Sequence, residues 1–142
     1  MGPRAAEVSA LRAAAGALAL VAAPGAWACG EMLRGPTDRI ENAHYEIVFV
    51  AIPSPIEPGK HFSLDIAVCQ RGGALPPDTL RVDAVMPDHR HGMNYRPVAV
   101  ARGGGAYRAD GLMFHMPGRW DLHFDLVTSA GTERLTATRH LE

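Results

Sequence analysis

From residue 44 onward, apolar and polar side chains alternate with a period of two. Tyr45, Ile47, Phe49 and Ala51 share one face of a first run. In a second run Phe62, Leu64, Ile66 and Val68 oppose His61, Ser63, Asp65 and Ala67, and in a third Leu80, Val82, Ala84 and Met86 oppose Arg81 and Asp83. Successive side chains of a strand point to opposite faces, so each run reads as a half-buried strand. Shorter runs at 97–101 and 106–109 flank Gly103-Gly104-Gly105, which reads as a hairpin-like turn. Leu112, Phe114 and Met116 then alternate with Met113 and His115, and Leu122, Phe124 and Leu126 with Asp121, His123 and Asp125. A last run covers 134–138. Gly and Pro clusters separate the runs, and no helical period follows residue 42. The pattern predicts an all-β fold, an immunoglobulin-like (cupredoxin-like) antiparallel β-sandwich of about seven strands over residues 43–142.

The first 28 residues do not share this pattern. Arg4 and Arg12 precede an apolar run at 13–23, Pro24-Gly25 breaks it, and Ala26-Trp27-Ala28 ends in small residues. That is the form of a secretory signal peptide over residues 1–28. The run is short against the roughly 20 residues that span a bilayer, so cleavage is expected rather than a retained anchor. The mature chain is then expected to be periplasmic or secreted, without a transmembrane segment. Residues 29–42 are polar, contain Gly35-Pro36 and read as a leader ahead of the sandwich.

Cys29 and Cys69 would lie in an oxidising compartment, where a disulfide is the default. A bridge across this separation stabilises by about 4 kcal/mol on the chain-entropy model. Two alternatives stay open: lipid attachment at Cys29, although Ala26 stands where lipoprotein signals usually carry an aliphatic residue, and Cys69 as a thiolate ligand. Without residues 1–28 the chain carries 12 basic and 14 acidic side chains, a formal charge of −2. That near balance argues against a nucleic-acid partner, which calls for a clustered basic surface.

Candidate chemistry is concentrated between Met86 and Trp120, in MPDHRHGMNYRPVAVARGGGAYRADGLMFHMPGRW. Met86, Met93, Met113 and Met116 fall here, with His89, His91 and His115. Thioether sulfur selects copper(I) over harder ions and imidazole suits several metals, so the mixture points first to copper, with Cu(I) favoured over Cu(II). An extended 89–93 segment aligns His89, His91 and Met93 on one face, and an extended 113–116 segment aligns Met113 with His115. Met116 shares the parity of Leu112 and Phe114 and reads more as core. The principal ligands are therefore His89, His91, Met93 and His115, with Met113 or Met116 assisting and Met86 a lesser member of the set. The competing account is that the methionines pack the sandwich and the loop histidines are solvated. His44, His61, His123 and His140 lack company in the sequence. A nucleophile elbow and a phosphate loop opening a helix are both absent from the sequence, and its carboxylates show no recognisable catalytic spacing, so the chain is not expected to be an enzyme.

The run MPDHRHGM, then Gly105-Ala106-Tyr107, Gly111, MPGRW and an alternating strand resembles the YtkA-like and FixH-like domains. These are small exported or membrane-tethered immunoglobulin-like sandwiches of bacteria, often associated with copper handling or oxidase assembly. The resemblance covers roughly Pro53 to Val127. It maps a Met-Pro-x-His/Met-x-His-Gly pattern onto Met86, Pro87, His89, His91 and Gly92, and a Met-x-Gly-x-Trp pattern onto Met116, Gly118 and Trp120. Many relatives look to carry methionine at the position of His89, which leaves the choice between copper(I) and copper(II) open. The resemblance implies a periplasmic protein that sequesters copper or exchanges it with an envelope partner. The alternative is a metal-free immunoglobulin-like module whose MPDHRHGM loop contacts another protein.

Overall fold

The computed structural model describes residues 1–2 and 28–142. The expected signal peptide therefore lies outside the described residues, apart from its ends. The described chain is all β: β1 (Asp38–Glu41), β2 (Tyr45–Ile52), β3 (His61–Gln70), β4 (Thr79–Met86), β5 (His91–Gly92), β6 (Val98–Gly103), β7 (Ala106–Met113), β8 (Gly118–Thr128) and β9 (Gly131–Leu141). Every pairing is antiparallel. One sheet runs β1-β2-β3-β7-β6 and the other β5-β4-β8-β9, so the expected two-sheet sandwich is what the chain forms. Among the described residues no helix is long and apolar enough to cross a membrane.

The alternation places the core correctly. Ile47, Phe49, Leu64, Ile66 and Leu112 face inward from one sheet, and Val82, Ala84, Met86, Leu122, Phe124 and Leu126 meet them from the other, all buried. Aromatic pairs tie the layers, with Phe49 and Phe124 centroids 4.9 Å apart. Two strands are not visible in the alternation. β1 is DRIE, of which only Ile40 is even half-buried, so its pairing with β2 leaves no apolar stripe. β5 has two residues, too few for any period. The runs at 106–109 and 112–116 are also not two strands: β7 is continuous from Ala106 to Met113, and Phe114, His115 and Met116 lie in the connection after it.

The polar leader is more ordered than a solvated segment. Its end forms β1, and its beginning covers the outer face of β2, where Val48 and Val50 are each 2% exposed. Backbone approaches so closely that a Cβ at Gly30, which has φ +77°, would come within 2.6 Å of Val48. A disulfide between Cys29 and Cys69 holds this segment down, with Cα atoms 6.0 Å apart. Because the bridge engages both sulfurs, neither a lipid on Cys29 nor a Cys69 thiolate ligand is compatible with it. The bridge lies outside the main core, so the sandwich is expected to survive its loss with reduced stability. A Cys29→Ser/Cys69→Ser variant should unfold with a free energy lower by about 4 kcal/mol in urea titrations. An unchanged midpoint would show that the bridge contributes nothing to stability.

Candidate metal centre

The first arm of the site is built by the end of β4 and the turn after it. His89 and Arg90 both direct backbone N–H groups to the Met86 carbonyl, at 3.2 and 2.9 Å. Arg90 takes a left-handed conformation, φ 57°, and the chain reverses within residues 87–90. Pairing then resumes with Met86 opposite His91 and Val85 opposite Gly92. Directly opposed residues share a face. Since Met86 is buried in the core, His91 also faces inward, and it is half-buried at the sheet edge. The Met93 N–H donates to the Ala84 carbonyl at 3.2 Å, which carries Met93 along the same inner side, packed against the core. His91 and Met93 thus share a side as expected, but His89 does not join an extended row. It sits exposed in the turn, its ring centroid 5.8 Å from that of His91.

The second arm crosses between the sheets. β7 ends at Met113, Phe114 is fully buried, and its carbonyl accepts from the Gly59 N–H at 2.7 Å. His115 follows in the connection to β8, half-buried, with its ring centroid 5.0 Å from His91. The two sequence arms therefore meet through His91 and His115. Trp120 is the floor beneath them. It is fully buried, stacked on Phe114 at 4.8 Å, and meets His115 at 5.2 Å and His91 at 6.0 Å, both at steep angles. Its indole N–H donates to the Met116 carbonyl at 3.0 Å, fixing the connection on which His115 rides.

The hydrogen bonding of the two imidazoles is unequal. His91 Nδ1 lies 3.2 Å from the Gly92 carbonyl. With the proton there, Nε2 presents a lone pair, the arrangement that orients metal-binding histidines. His115 Nδ1 is buried and has no partner among the described residues. A buried polar atom left unpaired costs about 1–3 kcal/mol, so this nitrogen is the natural place for a ligand. Above the pair, Arg119 reaches Asp88 at 3.5 Å across the rim.

The methionines divide by position. Met93 and Met116 are half-buried against the core cluster. Met86 is 0% exposed and lies beneath the site, its terminal methyl 2.7 Å from where a Cβ on Gly118 would stand. Met113 sits opposite His61 of β3, whose ring is met edge-on by Tyr95 at 4.8 Å. His61 thus has neighbours that the sequence did not reveal, because cross-strand register is not written in local spacing. Among the described residues no three His, Cys, Asp or Glu side chains form a group that could hold a metal ion. The geometry brings two imidazoles together, and the chain places Met93 two residues after His91 and Met116 directly after His115, both half-buried against the core. Two nitrogens with sulfur suit copper(I), whereas zinc makes little use of thioether.

The YtkA-like family model matches residues 40–125. That span is more than half of the chain. The chain belongs to the YtkA-like family. The match includes both arms and Trp120 and begins inside β1, the strand that the alternation does not show. No curated protein and no solved structure matches the chain significantly. In this YtkA-like chain, Gly118 closes the floor of the site: its φ of +123° disfavours any side chain, and a Cβ there would meet Met86. Gly118→Ala should therefore cost about 1–3 kcal/mol. It should also shift the Trp120 indole N–H resonance, measured alongside thermal unfolding. Wild-type stability with an unmoved indole signal would show that Met86 and Gly118 do not set the floor.

Proposed function

We propose that this YtkA-like protein is a copper-handling protein of the cell envelope, binding copper(I) through His91 and His115 with thioether from Met93 or Met116. The observation that carries this reading is the buried Nδ1 of His115, which has no partner among the described residues, on a ring whose centroid lies 5.2 Å from that of Trp120 and 5.0 Å from that of His91. A ligand on that nitrogen removes the cost of leaving it unpaired. The half-buried methionines supply soft donors on the same core cluster. Trp120 and Phe114 exclude water from one side, and the indole also offers its π system to a cation. Copper is cargo in this account, received from or passed to another envelope protein, and the chain's own residues bind and release it without covalent chemistry. His89, exposed in the turn and 5.8 Å from His91, is placed to meet incoming metal rather than to hold it in the site.

A second reading, a metal-free interaction module, is favoured by one feature. The edge strand β6 and the loop before it expose Tyr95, Val98 and Val100 at 45, 65 and 49%. One titration separates the readings. Anaerobic copper(I) competition against a colorimetric chelator should show the His91→Ala/His115→Ala variant binding at least tenfold more weakly than wild type, about 1.4 kcal/mol. His89→Ala should change affinity less. Equal affinity of wild type and the double variant would end the copper reading at this site and leave the interaction module.

A further inference from the structure

On the outer face of the five-stranded sheet, His61 and Met113 stand directly opposite one another in the β3–β7 pair. The adjacent pair, Phe62 and Leu112, is buried inward, so His61 and Met113 project away from the core. Opposed residues have Cβ atoms about 4.5–5.5 Å apart. Metal–nitrogen and metal–sulfur bonds of about 2.0–2.3 Å put two linearly arranged donor atoms roughly 4 Å apart, comparable to that Cβ spacing. Tyr95 lies against one side of the exposed His61 ring, centroids 4.8 Å apart and planes at 68°. Farther along the same face the hard donors are already engaged. Ser63 donates to Asp110 at 2.6 Å, and Arg108 pairs with Asp110 and Asp65, each at 2.9 Å. The combination left to meet a cation is one imidazole and one thioether.

We infer that His61 and Met113 form a second, outer site for a soft monovalent cation of the copper(I) class, two-coordinate and capped by Tyr95. Hard divalent ions are selected against, because among the described residues the carboxylates farther along this face, Asp65 and Asp110, are engaged and thioether is a poor donor for such ions. The site lies two residues along the chain from His115, and the loop that carries Tyr95 begins at Met93, so the outer pair adjoins both arms of the inner centre. Its existence does not rest on the inner site. Met113, whose parity with His115 first suggested membership of one centre, is thereby assigned to a different one.

Silver(I), a redox-inert stand-in for copper(I), tests this with the full chain labelled at methionine methyl carbons. In a His91→Ala/His115→Ala background, the Met113 methyl resonance, assigned through Met113→Leu, should move and saturate near one equivalent of silver nitrate. Adding His61→Ala should weaken that response at least tenfold. A Met113 resonance that stays in place at several equivalents, or moves equally without His61, would overturn the outer site. In the wild-type background the Met93 and Met116 methyls report the inner site separately, so failure of either site is read without ambiguity.

Discussion

The indole N–H of Trp120 donates to the carbonyl of Met116, and that bond ties β8 to the connection that brings His115 across from the other sheet. The indole itself is fully buried and stacked on Phe114, so it cannot shift without opening the end of the core. Because His91 and His115 both lie against the same ring, their separation is set by a rigid object rather than by loop conformation. The proposed exchange of an ion at this site would benefit from this. Side chains held by packing need little reordering when the ion enters or leaves.

The opposite edge of the sandwich shows how the rest of the fold protects that arrangement. Arg139 of β9 pairs with Asp38 of β1 and lies over the Phe49 ring at 5.3 Å, linking the outermost strands of the two sheets. β9 runs the full length of β8, from Gly118 opposite Leu141 to Thr128 opposite Gly131. The strand that carries Trp120 is therefore paired on both sides, by β4 and by β9. Cys29–Cys69 secures the leader against the other sheet. At the end that carries His91 and His115, short β5 and the turn at 87–90 present polar side chains.

Much of this is legible in the sequence. A period of two identifies inward residues wherever a strand is long enough, which is why Phe62 to Val68, Leu80 to Met86 and Leu122 to Leu126 are all assigned to the core correctly. The period of two carries no information where the backbone leaves the extended state or where contacts cross strands. His89 falls out of line because Arg90 turns left-handed, and arginine gives no glycine-like signal of such a turn. β1 hides because its polar residues face solvent at a sheet edge. The pairing of His61 with Met113 depends on a register that includes a bulge between Phe62 and Leu64, which local spacing cannot supply. Met86 shows two signals in conflict: its parity with Leu80, Val82 and Ala84 turns it inward, its place beside the histidines puts it among the candidate ligands, and the structure buries it completely.

Copper-edge X-ray absorption of the anaerobic copper(I)-loaded protein addresses the central claim most directly, because it reads donor atoms rather than affinity. The account predicts a first shell of mixed nitrogen and sulfur, with outer-shell imidazole scattering that falls when His115 is replaced by alanine. A shell of nitrogen and oxygen alone, or a spectrum unchanged by the loss of both His91 and His115, would contradict it.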